Sequence, residues 1–174
     1  MKEKVFAICG TIDPLSLILS GGDVRRYHNE GYIRQQPVSE HTWRMLVILL
    51  HFWPEASRDL ILTALYHDVA ERYTGDIPAT VKYGNPELMS IVEKLEEDFL
   101  KFLDLPIGKL STHNKNRLKC ADYIELCITC REQFGIGTHR AQEIYERGMA
   151  IVFKYAARLP KEERENIDTF MKTL

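Results

Sequence analysis

Tyr66-His67-Asp68-Val69-Ala70-Glu71, followed by Thr74-Gly75-Asp76, places His67, Asp68, Glu71 and Asp76 close together at the end of an apolar, helix-patterned run. All four side chains can bind a metal or carry a proton. Burying an imidazole and a carboxylate without partners costs several kcal/mol on the order-of-magnitude scale, even after relaxation. A divalent cation would offset that cost. Read alone, the His-Asp pair also fits a core histidine beside a helix-end carboxylate, and Glu71 fits a surface residue, so the rest of the chain must decide.

Working outward, helical patterns recur and strand patterns are weak. Residues Ser39 to Phe52 predict a helix capped by Ser39, with Trp43, Leu46, Val47 and Leu50 as its apolar stripe. Pro54 stands where a second helix can begin, and Leu60, Ile61, Ala64 and Leu65 carry that helix to His67 and Asp68. Gly75 and Pro78 break the pattern, so Thr74 to Pro78 reads as a turn or loop. Further helices are predicted over Pro86 to Leu103, with Leu88, Ile91, Val92, Leu95 and Phe99 inward, and over Thr112 to Phe134, ended by Gly135 and Gly137. Another runs from a Thr138 cap to Tyr155, and Pro160 opens the last, with Ile167 and Phe170 inward. One or two short helices are expected before Ser39. The fold class is all-α: a compact multi-helical arrangement in a single domain over 1–174.

Consecutive residues on a regular helix point about 100° apart. His67 and Asp68 can therefore share an ion only where the helix ends or the ion sits between two faces. Other ligands must come from elsewhere. His41 and Asp122 are the best candidates, because each interrupts an apolar helical segment. Two imidazoles and two carboxylates suit Mn²⁺, Co²⁺, Zn²⁺, Fe²⁺ or Ni²⁺ better than Mg²⁺, which prefers oxygen ligands. Glu71 lies four residues after His67 and three after Asp68, within reach of a nearby water, and Asp76 can reach back from the turn. Two carboxylates beside an activated water are what proton shuttling requires.

Arg25-Arg26-Tyr27-His28 combines cation, ring and imidazole ahead of His41. Arg26 can grip a phosphate in a bidentate fork, Tyr27 can stack on a base or close against a deoxyribose, and Lys82 can add a second charge. Each also fits an ordinary reading, as solvated charge for Arg26 and Lys82 and as packing for Tyr27.

These residues carry a resemblance. Arg26-Tyr27, Val38-Ser39-Glu40-His41, Tyr66 to Glu71, Thr74-Gly75-Asp76-Ile77-Pro78, Val81-Lys82-Tyr83 and Lys119-Cys120-Ala121-Asp122 are similar to the HD-domain phosphohydrolases. The likeness is strongest to the branch of bacterial 5'-deoxynucleotidases and short phage-type deoxynucleotide phosphohydrolases. It implies that His41, His67, Asp68 and Asp122 bind metal, that Glu71 and Asp76 serve the water or leaving group, and that Arg26 and Lys82 hold phosphate. It also implies a homo-oligomer, from a dimer up to a hexamer. The chain departs from the bacterial pattern at Tyr27, where Trp is usual, with His28 and Asn29 following in the region that touches sugar and base. Base preference and phosphate-chain length stay open there. The phage-type members include enzymes directed at dATP, so the resemblance leans towards purine, as dATP or dAMP.

Composition narrows the partners. A net charge of -2 argues against capture of a nucleic acid polymer, while leaving room for a small anion. No signal peptide or membrane span is legible, so the expected compartment is the cytoplasm, the host's if the chain is phage-encoded. Cys9, Cys120, Cys127 and Cys130 do not form a disulfide framework, and the C-x-x-C of Cys127 and Cys130 reads as buried small hydrophobes within a helix. The leading expectation is cleavage of the 5' phosphoester of a deoxynucleotide, giving deoxynucleoside plus phosphate or triphosphate. Its alternatives are a strict 5'-deoxynucleoside monophosphatase of broad base range, a cyclic-nucleotide or alarmone hydrolase, and a non-catalytic helical binding module.

Overall fold

Short polar side chains and prolines set the helix starts in the computed structural model of the chain, which describes residues 12–31, 33–134 and 139–174, apart from the side chain of Tyr83. Asp13 accepts from the Ser16 amide to start α1 (Pro14–Gly21), and Asn85 accepts from the Leu88 amide to start α6 (Pro86–Phe102), each with proline next in line. Between them lie β1 (Arg25–Arg26), β2 (Gln36–Pro37), α2 (Val38–Phe52), α3 (Arg58–Tyr66), α4 (Glu71–Thr74) and α5 (Ala79–Gly84). The chain continues through α7 (Thr112–Phe134), α8 (His139–Ala156) and α9 (Lys161–Met171). The architecture is almost wholly helical, as an HD domain is. The antiparallel pair β1–β2, with Arg26 opposite Gln36, is its one small sheet among the described residues. None of the described helices is long and apolar enough to cross a membrane.

Two compact units emerge. In the unit built from 12–28, 35–40 and 66–106, α4 packs against α1 and α6, and α5 packs against α6. Leu17, Val69, Ala70, Phe99 and Leu103 form its core. In the unit built from 29–34, 41–65 and 107–174, α7 runs along α8, and Met45, Leu49, Leu60, Ile124, Val152 and Ile167 fill the interior. Cys120, Cys127 and Cys130 are buried there, and burial pushes the thiols of Cys120 and Cys127 up to about 12. They behave as small hydrophobes. Cys9, the Gly135 and Gly137 stop and the Thr138 cap lie outside the described residues.

Four local expectations are corrected. Trp43, Val47 and Leu50 face solvent, at 67%, 49% and 40% exposure, while His41, Thr42, Met45 and Leu49 point inward. The helix is apolar on more than one side, so periodicity cannot choose between faces, and tertiary packing does. Ile91 is likewise exposed on α6, whose inner face is carried by Val92 and Phe99. Ser39 does not cap α2: the Val38 and Ser39 amides donate to the carbonyls of Val24 and Gly22, at 2.9 and 3.0 Å, so the preceding backbone satisfies the helix start. Pro54 does not open α3. Ser57 Oγ accepts from the Leu60 amide at 3.3 Å, and the helix begins one residue later.

Close helix approach makes one glycine decisive. A Cβ on Gly148 of α8 would stand 2.7 Å from Leu126 Cδ2 and 3.0 Å from Cys127 Sγ on α7. Gly148→Leu is expected to destabilise the protein by about 1–3 kcal/mol through overpacking. A urea midpoint equal to the wild type would contradict this.

Candidate active site

The His-Asp pair sits where helical geometry stops. α3 closes at Tyr66, and the next residues follow in tight turns, with the Val69 amide on the Tyr66 carbonyl (3.1 Å) and the Glu71 amide on the Asp68 carbonyl (3.0 Å). Tightening removes the usual divergence of neighbouring side chains, and His67 Nε2 lies 3.2 Å from Asp68 Oδ1. Glu71 then opens α4 as a separate short helix, which ends at Gly75, whose φ of 75° is one a side chain would strain. The Gly75 amide returns to the Glu71 carbonyl at 2.7 Å and brings Asp76 round the turn.

Glu71 is buried, not a surface carboxylate, and its Oε2 has no hydrogen-bond partner among the described residues. Burial, with Asp68 and Asp76 beside it, pushes its carboxyl up to about 9, against the opposing pull of Lys82 and Arg26. Five charged groups named from sequence thus feel one another. The four around Glu71 each approach a neighbour. Arg26 Nη1 donates to the buried Gln36 across the β1–β2 pair at 3.0 Å, and its guanidinium lies 5.5 Å from the centre of the Tyr27 ring. Tyr27 has φ 62°, rare for an aromatic residue and often found at functional sites. Lys82 Nζ meets Glu96 Oε1 at 3.3 Å, and Thr74 Oγ1 donates to the same oxygen. Asp76 Oδ2 is 3.8 Å from His28 Nδ1. Asn29 is exposed on the loop after β1 and is not among the groups acting on Glu71.

His41 of α2 is wholly buried. Its Nδ1 lies 2.7 Å from Glu125 Oε2 and its Nε2 3.5 Å from Asp122 Oδ1, both on α7. Lys119, one turn earlier, reaches Asp122 Oδ2 at 3.1 Å. One ligand atom from each of His41, His67 and Asp122 lies within 4.8 Å of the others, a grouping able to coordinate a divalent ion. Asp68 is outside this trio, its Oδ1 turned to His67 Nε2. The donor set fits a borderline transition ion, having two nitrogens and a carboxylate. The carboxylates crowding Glu71 are a second sign of fit, since a nearby cation would relieve their repulsion.

Three residues that support the site were not anticipated: Gln36, Glu96 and Glu125. Glu125 left a signal, because it follows Asp122 by three residues on one helix and lies between apolar neighbours. Gln36 and Glu96 left none.

Glu71 also sets a pH dependence. Its carboxyl holds its proton more tightly folded than unfolded, so that stability is complete below the ordinary 4.5 and falls as pH rises towards about 9. Chelator-treated protein should melt at lower temperature at pH 8 than at pH 5, and Glu71→Gln should reduce that difference. Identical pH profiles for both proteins would refute it.

Comparison with known proteins places this geometry. Residues 22–107 match the family described as 5'-deoxynucleotidase YfbR-like. A 5'-deoxynucleotidase of Photorhabdus laumondii is 28% identical over 165 residues, covering 80% of this chain and 79% of the relative. One from Vibrio parahaemolyticus is 34% identical over 98 residues, 46% of this chain and 48% of the relative. One from Vibrio cholerae is 30% identical over 105 residues, 51% and 53% respectively. The matches to these Vibrio relatives therefore span about half of their length.

Proposed function

The chain belongs to the YfbR-like 5'-deoxynucleotidase family of the HD superfamily, and from that premise we propose that this metal-dependent phosphohydrolase cleaves the 5' phosphoester of a deoxynucleotide, with 1–174 acting as one domain. The observation that carries the reading is the buried Glu71 carboxyl, which takes its charge environment from Asp68, Asp76, Lys82 and Arg26. Opposite charges in one small region are what a phosphoryl transfer needs: cations for the substrate and carboxylates for the water.

In this reading His41, His67 and Asp122 hold the divalent ion, and Asp68 joins them or orients His67. When bound, the ion supplies Lewis acidity at the phosphoryl oxygen. Glu71 and Asp76 orient the attacking water, and the proton that the water gives up passes through them to the leaving 5' oxygen. Arg26, fixed by Gln36, and Lys82, exchanging Glu96 for substrate, neutralise the charge that builds on the phosphate. Tyr27 packs on the sugar, with Asn29 towards the base. The products are deoxynucleoside plus phosphate from a monophosphate, or triphosphate from a dNTP, with adenine weakly favoured by the phage-type likeness. The protein works as a homo-oligomer, a dimer or larger, in the cytoplasm and on small deoxynucleotides.

A panel of dNMPs, dNTPs, cyclic nucleotides and alarmones, with products separated by chromatography, tests the proposal. Intact triphosphate from dATP marks the triphosphohydrolase, and orthophosphate from dNMPs alone marks the monophosphatase. Turnover confined to cyclic nucleotides or alarmones, or none at all, overturns it.

Sugar selectivity gives a second test. A merely apolar surface rejects an added hydroxyl poorly, so discrimination needs a tight steric fit. The left-handed backbone at Tyr27 and the Arg26 guanidinium near its ring support a role for the ring in that fit. Tyr27→Ala should narrow the kcat/KM ratio of dAMP to AMP, and of dATP to ATP, by roughly tenfold or more. An unchanged ratio would reduce Tyr27 to packing.

A further inference from the structure

Glu125 has no role in the chemistry described so far, yet it is among the most deeply buried charged residues described, at 0% exposure. A carboxylate in that position needs partners, and three stand among the described residues. Oε2 meets His41 Nδ1 at 2.7 Å, Oε1 accepts from Thr129 Oγ1 at 2.7 Å, and Arg44 Nε lies 3.2 Å from Oε1. Arg44 is itself clamped, its Nη1 and Nη2 donating to Glu132 at 3.1 and 2.6 Å. Every group involved lies on α2 or α7, and the geometry fixes the position of the carboxylate.

We infer that Glu125 is a positioning residue: it holds the His41 ring as the Nδ1–H tautomer, so that Nε2, the nitrogen facing Asp122, is the one offered to a metal ion. The inference rests on the metal reading above and deepens it. The carboxylate accepts a hydrogen bond from Nδ1–H, which fixes the ring plane and leaves the Nε2 lone pair available. Its negative charge favours a cation at that nitrogen, as carboxylate partners of ligating histidines do. Thr129 and Arg44 stop the carboxylate from turning away. Asp122, one turn earlier on the same helix, faces the other side of the ring at 3.5 Å.

The test is Co²⁺ binding by calorimetry on the full chain, with long-range ¹H–¹⁵N correlation of the Zn²⁺-loaded protein. Wild type is expected to show His41 protonated at Nδ1 and liganded through Nε2. Glu125→Leu, which fills the volume without accepting a proton, should weaken Co²⁺ binding about 10–100-fold. Glu125→Gln, which still accepts but carries no charge, should lose several-fold and keep the tautomer. Wild-type affinity in Glu125→Gln overturns the inference whether or not the leucine variant folds, as does ligation of His41 through Nδ1. Failure of the wild type to bind Co²⁺ or Zn²⁺ would instead remove the metal reading beneath it.

Discussion

Glu71→Ala is expected to retain metal and lose turnover, with kcat falling about 10²–10⁴-fold, the range that general acid–base groups contribute. Glu71 lies outside the His41, His67 and Asp122 grouping, so removing it leaves those donors in place. What disappears is the proton acceptor. Its neighbours make the loss hard to replace: Asp76 approaches His28, and Asp68 approaches His67, so neither is disposed as Glu71 is. Removing a buried carboxyl crowded by two others also relieves repulsion, and metal-free Glu71→Ala should not be less stable than wild type by more than the cavity it leaves. Metal content by mass spectrometry and phosphate release from dNMPs and dNTPs measure the two halves separately. Full activity in the variant would end the assignment of Glu71, and loss of metal would move it into the ligand shell.

The way the sequence presents these residues explains which of them were legible. Motif residues are dense in chemistry and sparse in structure: His67, Asp68, Glu71 and Asp76 announce themselves because polar side chains interrupt an apolar run. The long helices α6 and α7 were legible for a related reason, since Pro86 and the polar residues before Thr112 mark starts that local physics enforces. α2 failed as a facing problem. Trp43 looked like core and is 67% exposed, because a helix apolar on several sides hides which side the fold will use. The Arg25–Arg26 and Gln36–Pro37 strands are two residues each, too short for any alternation to show, yet they give Arg26 its partner. Glu96 and Glu125 read as ordinary helix carboxylates, and only the tertiary fold sets one on Lys82 and the other on His41. Asp68 was assigned by its place beside His67, and its Oδ1 lies against His67 Nε2.

Stripping the metal should be the most severe perturbation of all. Chelation is expected to take phosphate release to background and to lower the melting temperature, with both restored by Mn²⁺ or Co²⁺ and poorly by Mg²⁺. An ion at 100 times its Kd stabilises the native state by about 2.7 kcal/mol. At roughly 2–4 °C per kcal/mol for a chain of this size, the melting temperature should shift by about 5–10 °C. Asp122→Ala should abolish both responses, because it removes the carboxylate of the grouping. His67→Ala should abolish the metal response too, while leaving the His41–Glu125 pair intact, since that pair is made wholly between α2 and α7. The two variants therefore separate loss of a ligand from loss of the scaffold. A metal-independent melting temperature together with full activity in chelator would show that His41, His67 and Asp122 are grouped for stability alone, whereas a metal-independent melting temperature with no turnover would favour the non-catalytic reading of the fold.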